Sequence, residues 1–531
     1  MRPNLMNIAK WCAGFLVSQA VFSVLWTMPA HAAAPGLKGP TFNLVAEPAY
    51  ITQPDGQVIY SWGYGCDGAP AAGYLPEKIT SAFCSSMQIP GPTLIVNEGD
   101  TVTVNLKNSL PSSAGNTSIL FPGFQVASSG GVNGLLVREA QPGGTVTYTF
   151  KATTPGTRSY YSGTQGDLQI EMGMYGAIIV LPTNVPASCK GTQNDSARGA
   201  YLQATGQGTE KDFRLADSAY DNPKTCYDRE YLFQFSEVDP RIHEAALAQV
   251  SAKAGCTAGQ PGCSLQVPTE PYHPAYFMIN GRSMPDDMDP NYSPQYPHQP
   301  YNGNPHLHPG EMVLLRVIGQ GRWQHPFHEH ANHVRVLARD GNLILAPDKA
   351  NLAGPALFTT TTTPGEAMDG IFYYTGRGLN WDMYGHNPSS GDLLAKLPCT
   401  PDANGYNTGD PAALNYYEWC QDHNKPLQVS PFGDVPGGGP ATLPDPNILV
   451  NGAWYGGSPY LGPDATVRAT GPTGTTPPSG TIGNSPSDEA GFAFMWHSHN
   501  EREITTNNAF PGGMMMMMLV DSREFAIDES N

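Results

Sequence analysis

Short alternating runs broken by glycine and proline constrain this chain more than any other feature. Thr101-Val102-Thr103-Val104-Asn105-Leu106 and Thr145-Val146-Thr147-Tyr148-Thr149-Phe150 alternate with period two, while Ile95-Val96 and Ala177-Ile178-Ile179-Val180 are short apolar runs. Successive strand side chains point to opposite faces, so an alternating run lays one face on a core and leaves the other outside. No long stretch sustains a helical period, and the best helix candidate is Ile242 to Ala254, closed by Gly255. The 59 glycines and 50 prolines make up about a fifth of the chain, which favours many turns and falls short of a disordered composition. Short strands with regular turns predict an all-β molecule of antiparallel sandwiches or barrels. A length of 531 residues allows two or three domains, each with its own core.

Residues 1–32 read as a secretory signal, with Arg2 and Lys10, an apolar run from Trp11 to Met28, and an Ala30-His31-Ala32 cleavage site. A first domain is then expected over 33–182, a polar linker over 183–226, a second domain over 227–521 and a tail over 522–531. Tyr231-Leu232-Phe233-Gln234-Phe235 opens the second domain, and a loop-rich insertion occupies about 376–487. No later apolar run is long enough to span a membrane once the signal is removed. Cys12 leaves with the signal. The remaining cysteines pair by default with their sequence neighbours in an oxidising compartment: 66 with 84, 189 with 226, 256 with 263, and 399 with 420. A formal charge of −18 disfavours nucleic acid and anionic membranes as partners and attracts cations.

Two stretches carry chemistry. His325-Pro326-Phe327-His328-Glu329-His330 and His497-Ser498-His499 each place histidines at i and i+2. On strands, His328 and His330 share one face, as do His497 and His499, while His325 and Ser498 have the other parity. If the two strands are neighbours, four imidazoles converge, a set that suits copper or zinc. Isolated histidines are more often ordinary polar residues than ligands, but six of the 14 in the chain, counting His333, fall in or beside these stretches. Met514 to Met518 reads either as soft thioethers for Cu(I) or as a buried final strand leading into Leu519-Val520.

Pro90-Gly91-Pro92-Thr93, Glu98-Gly99-Asp100-Thr101-Val102, Pro155-Gly156-Thr157 and Met174-Tyr175-Gly176-Ala177-Ile178-Ile179-Val180, together with both histidine motifs, resemble the multicopper oxidases, such as laccases. The resemblance implies two cupredoxin-like Greek-key β-sandwich domains, the second carrying the long insertion. It also implies that Leu120, Pro122, Tyr161 and Gly163 replace the first domain's four copper-binding histidines. In the second domain Ser498 stands at the position of the blue-copper cysteine and Glu503 at that of a later histidine, while His325 remains and Met514 is the matching methionine. Without a thiolate no blue site is expected.

The sequence therefore predicts an exported copper protein, an atypical copper-dependent oxidoreductase supplied by a small-molecule reductant. Its expected metal ligands are His325, His328, His330, His497, His499 and Met514, with Glu503 as proton acceptor. The alternatives are a non-catalytic copper-binding or storage protein, and a structural relative that kept only the fold.

Overall fold

The computed structural model describes residues 34–75, 84–189, 214–307, 311–374, 398–403, 407–410, 457–461, 490–521 and 527. Both alternating runs are strands, Thr101–Asn108 and Thr145–Lys151, paired antiparallel. Val102, Val104, Leu106, Val146, Tyr148 and Phe150 turn inward and are buried, and the polar residues between them face outward. Their five-stranded sheet packs on a second one containing Leu94–Asn97, Gly156–Tyr161 and Tyr175–Leu181. A single apolar cluster holding Val104, Leu106, Leu94, Val96, Ile178 and Val180 fills the space between them.

A second sandwich follows, of a seven-stranded and a six-stranded sheet. Phe233, Phe235, Val313, Leu315, Phe327, Phe372, Trp496, Met516 and Met518 lie in its core. The architecture is cupredoxin-like and mostly β, but the sheets are mixed rather than wholly antiparallel. Thr41–Thr52 runs parallel to Thr101–Asn108, and Arg229–Val238 runs parallel to Met312–Gly319. Parallel neighbours need long crossovers, which the local alternation of a strand does not encode.

The predicted helix spans Pro240–Ala252 and starts earlier than its apolar pattern because Asp239 caps it, accepting from the Arg241 N–H, with proline in the first turn. Ile242 and Ala246 pack into the core cluster of the first sandwich, so the helix ties the two halves together. A buried polar junction does the same. Asp369 accepts from the Thr157 N–H at 3.0 Å, the Thr157 hydroxyl at 2.6 Å and the Tyr220 hydroxyl at 2.5 Å. Arg316 donates to Thr157 Oγ1 at 3.0 Å and Glu230 Oε2 at 2.8 Å. At one close approach of the halves the chain uses Gly281, at φ +83°, where a Cβ would lie 2.2 Å from the Ile89 carbonyl oxygen.

Three of the expected disulfides are formed, Cys66–Cys84, Cys189–Cys226 and Cys256–Cys263. Cys399 is also disulfide-bonded, but its expected partner Cys420 lies outside the described residues. So do the signal segment and most of the insertion, although Gly457–Leu461 within the insertion pairs antiparallel with Ala490–Ser498. The methionine run opens the strand Met515–Asp521; Met514, Met516 and Met518 belong to the core, Met515 is buried too, and only Met517 is half-buried.

Trp496 holds this core and the site above it together. Its ring makes edge contacts with Phe327, Phe372 and Phe233, and its N–H donates to the His330 carbonyl at 3.0 Å. Trp496→Ala should destabilise the protein by about 3–5 kcal/mol in denaturant titration, the range for emptying a large aromatic site.

Candidate metal centre

The strands His325–Glu329 and Ala490–Ser498 are antiparallel neighbours, and their register sets His328 directly opposite His497. Phe327 and Trp496, one residue away on each strand, point into the core, so the alternation leaves His328 and His497 on the opposite face. His330 and His499 follow with the same parity. Ring centroids lie 4.8 Å apart for His328 and His330, 4.7 Å for His328 and His499, 5.2 Å for His330 and His497, and 5.4 Å for His497 and His499. His330 and His497 are buried, His328 is half-buried and His499 is exposed, so the cluster is closed below and open above.

These rings fit a metal ion. One ligand atom from each of His328, His330 and His497 can be chosen so that all lie within 4.8 Å of one another. His330 Nε2 and His497 Nε2 are 3.2 Å apart, close to the spacing of about 3.3 Å that two imidazoles take when bound to one tetrahedral ion at about 2 Å each. Two further ring nitrogens have partners: His497 Nδ1 lies 2.7 Å from the Ser498 carbonyl oxygen and His328 Nδ1 2.7 Å from Thr359 Oγ1. A proton on Nδ1 in each ring leaves Nε2 as the ligating atom. Burial, with His497 and His499 nearby, pushes His328 down to about 4, and burial also lowers His497. Both rings are neutral near pH 7, the state that binds metal.

His325 is placed apart from this cluster. Its Nε2 is 2.9 Å from Glu237 Oε2 and its Nδ1 2.8 Å from Glu503 Oε2, all three side chains being buried. Burial opposes a charge here, but the hydrogen bonds to Glu237 and Glu503 outweigh it and raise His325 to about 9. Both ring nitrogens are thus engaged by carboxylates, on the face of the strand opposite His328. Glu503 is occupied as well: Oε2 also accepts from the Ser498 hydroxyl at 2.5 Å, and Oε1 from Asn500 Nδ2 at 2.9 Å. Met514 contributes only backbone to this neighbourhood, its N–H donating to the Glu503 carbonyl and its own carbonyl accepting from Ser498 N–H, while its side chain belongs to the core. Glu237, which the sequence reading missed, had one signal, a carboxylate inside an apolar strand buried along its whole length.

The first sandwich repeats the strand geometry without the chemistry. Leu120 and Tyr161 are bridged as His328 and His497 are, with the Leu120 N–H donating to the Tyr161 carbonyl at 2.7 Å. The Leu120 side chain fills the space above Gly163, where a Cβ would lie 2.7 Å from Leu120 Cγ. Residues 33–182 contain no histidine.

Fold and site together define a two-sandwich protein of cupredoxin type whose described residues hold one imidazole centre, in the second half. Residues 74–185, within the first sandwich, match the family model described as "Multicopper oxidase". It is 39% identical over 103 residues to "Multicopper oxidase MCE" of Talaromyces pinophilus, covering 19% of this chain and 16% of that protein. It is 42% identical over 93 residues to "Copper resistance protein A" of Escherichia coli, covering 17% and 14%. With the "Copper resistance protein A homolog" of Pseudomonas syringae pv. tomato, the identity is 39% over 159 residues, covering 30% and 22%. The aligned stretches thus span less than a quarter of these relatives' own length. Among solved structures, the blue copper oxidase from Nitrosomonas europaea superposes with a TM-score of 0.42 at 16% identity, covering 90% of this chain and 85% of that one.

The His325 network makes stability pH-dependent. Because the folded protein raises His325 from the ordinary 6.5 to about 9, its contribution is complete below about pH 6.5 and is lost as the pH rises through 9. Thermal midpoints measured from pH 6 to 10 should fall across that window, and Glu503→Gln, which removes one partner carboxylate, should flatten the fall.

Proposed function

We propose that this chain is an exported copper-dependent oxidoreductase of atypical design, with copper held by His328, His330, His497 and His499 in its second domain. The observation that carries this reading is the convergence of four imidazoles on one strand pair, with two Nε2 atoms 3.2 Å apart. Bound copper would supply one-electron redox chemistry there. The protein's own part is to keep His328 and His497 neutral, to orient these two rings through Thr359 and the Ser498 carbonyl, and to leave the His499 side open to a small-molecule reductant. Glu503 serves in this reading to keep His325 charged rather than to take a proton from substrate. Export is supported by the signal-like sequence of residues 1–32 and by the disulfides. Among the described residues no helix is long and apolar enough to cross a membrane. We assign the domains as 33–182 and 227–521.

A second reading, a copper-binding or storage protein without turnover, has one observation in its favour. The first sandwich offers Leu120, Tyr161 and Gly163 where its partner offers imidazoles, and Ser498 provides no thiolate for electron transfer.

Copper-loaded protein should show no intense blue absorption. His497→Ala should abolish stoichiometric copper, and Thr359→Val should weaken copper binding by roughly 10–100-fold, as expected when the group orienting a metal-bound histidine is lost. Metal analysis and competition titration read these effects. An oxidase activity lost together with copper in His497→Ala selects the enzyme, whereas copper binding with no activity in the natural chain selects the binder.

A further inference from the structure

The polar chain around His325 continues away from the four rings. Glu237 turns Oε2 to His325 and Oε1 to the phenol of Tyr272, at 3.2 Å, and the same phenol oxygen lies 2.8 Å from Glu171 Oε2. Tyr272 is 9% exposed. Trp323, 38% exposed, meets it edge to face with ring centroids 5.5 Å apart. Surface indole, buried phenol, carboxylate and imidazole thus follow one another in direct contact, and His325 shares its strand with His328.

The phenol has one hydrogen and two carboxyl neighbours, so both contacts are satisfied only if one carboxyl is protonated. Burial, above all, pushes Glu171 up to about 8, which makes it the protonated member. Tyr272 therefore directs its hydrogen to Glu237. A phenol loses an electron readily only if its proton has an acceptor within hydrogen-bond reach, and Glu237 is that acceptor. The Arg322 guanidinium stacks over the Tyr272 ring at 4.2 Å and disfavours a positively charged ring, so electron and proton must leave together.

We propose that Tyr272 is a redox residue, giving one electron to oxidised copper at the four histidines, its proton to Glu237, and recovering both with an electron from an external donor at Trp323. In the forward step the Tyr272 O–H bond breaks, an O–H bond forms on Glu237, and one electron reduces copper(II) to copper(I). In the return step the donor is oxidised by one electron through the Trp323 indole, and the proton goes back to the phenol oxygen. The route replaces the conduction that a thiolate at position 498 would provide, and it rests on the copper reading above.

The test uses the full chain free of metal, so that it does not depend on that reading. Flash oxidation with a ruthenium polypyridyl photo-oxidant and an electron scavenger, followed by electron paramagnetic resonance, should show a tyrosyl radical. Tyr272→Phe should lower its yield several-fold with an unchanged circular dichroism spectrum. Glu237→Gln, which keeps the phenol and removes its acceptor, should lower the yield too and stands in if Tyr272→Phe does not fold. Trp323→Leu should slow the radical's reduction by an added phenolic donor. An undiminished radical yield in the tyrosine and glutamate variants overturns the proposal, as does a Trp323→Leu chain reduced at the natural rate. A Tyr272 radical in a chain that binds no copper would remove copper as its oxidant and so overturn the route together with the copper reading. Copper binding without the radical overturns the route alone.

Discussion

Everything at the four-histidine cluster depends on one pairing register, His328 opposite His497. A slip by one residue would turn Phe327 and Trp496 to the open face and bury imidazoles in the core, because side chains on a strand alternate strictly. The aromatic packing beneath therefore fixes the positions of the rings above it. Phe327 sits 4.8 Å from Phe235, Trp496 sits 4.9 Å from Phe372, and the apolar area they remove from water holds the two strands in line. The geometry of the four rings is in this sense a by-product of hydrophobic packing.

The inner face of the same strands carries a different electrostatic solution. The resemblance to multicopper oxidases places a soft-ligand copper site there; this chain places a buried imidazolium between two glutamates. A protonated ring can occupy such a position because the carboxylates compensate its desolvation, and the Ser498 and Asn500 hydrogen bonds satisfy Glu503's remaining acceptor capacity. Two strands thus present the neutral rings of His328 and His497 on one face and a charged ring on the other. The difference comes from the presence or absence of carboxylates, since the side chain is the same.

The sandwich class was legible in the alternation of Thr101 to Leu106 and Thr145 to Phe150, and the four-ring cluster was legible in the i, i+2 spacing, because both follow from strand geometry alone. The parallel pairings were not, since a strand's own residues do not record which neighbour returns beside it. The surroundings of His325 were not legible for a related reason. Its fate is decided by Glu237 and Glu503, 88 and 178 residues away in sequence, and a local motif cannot report a partner at that distance. Met514 to Met518 resisted reading because both faces of the strand they open are covered, which erases the alternation that separates a ligand from core.

Asp369 reaches out of the second sandwich and is satisfied by Thr157 of the first. If the halves part, that carboxylate loses two of its donors and Arg316 loses one acceptor. Either the groups rehydrate in a widened gap or they stay buried and unpaired, and both routes oppose separation. The half without histidines is therefore a thermodynamic partner of the half that has them. Its amide protons and those around the imidazole centre should exchange with solvent through a shared opening, so the kinetic lifetime of the centre is set partly by a sandwich that supplies none of its rings.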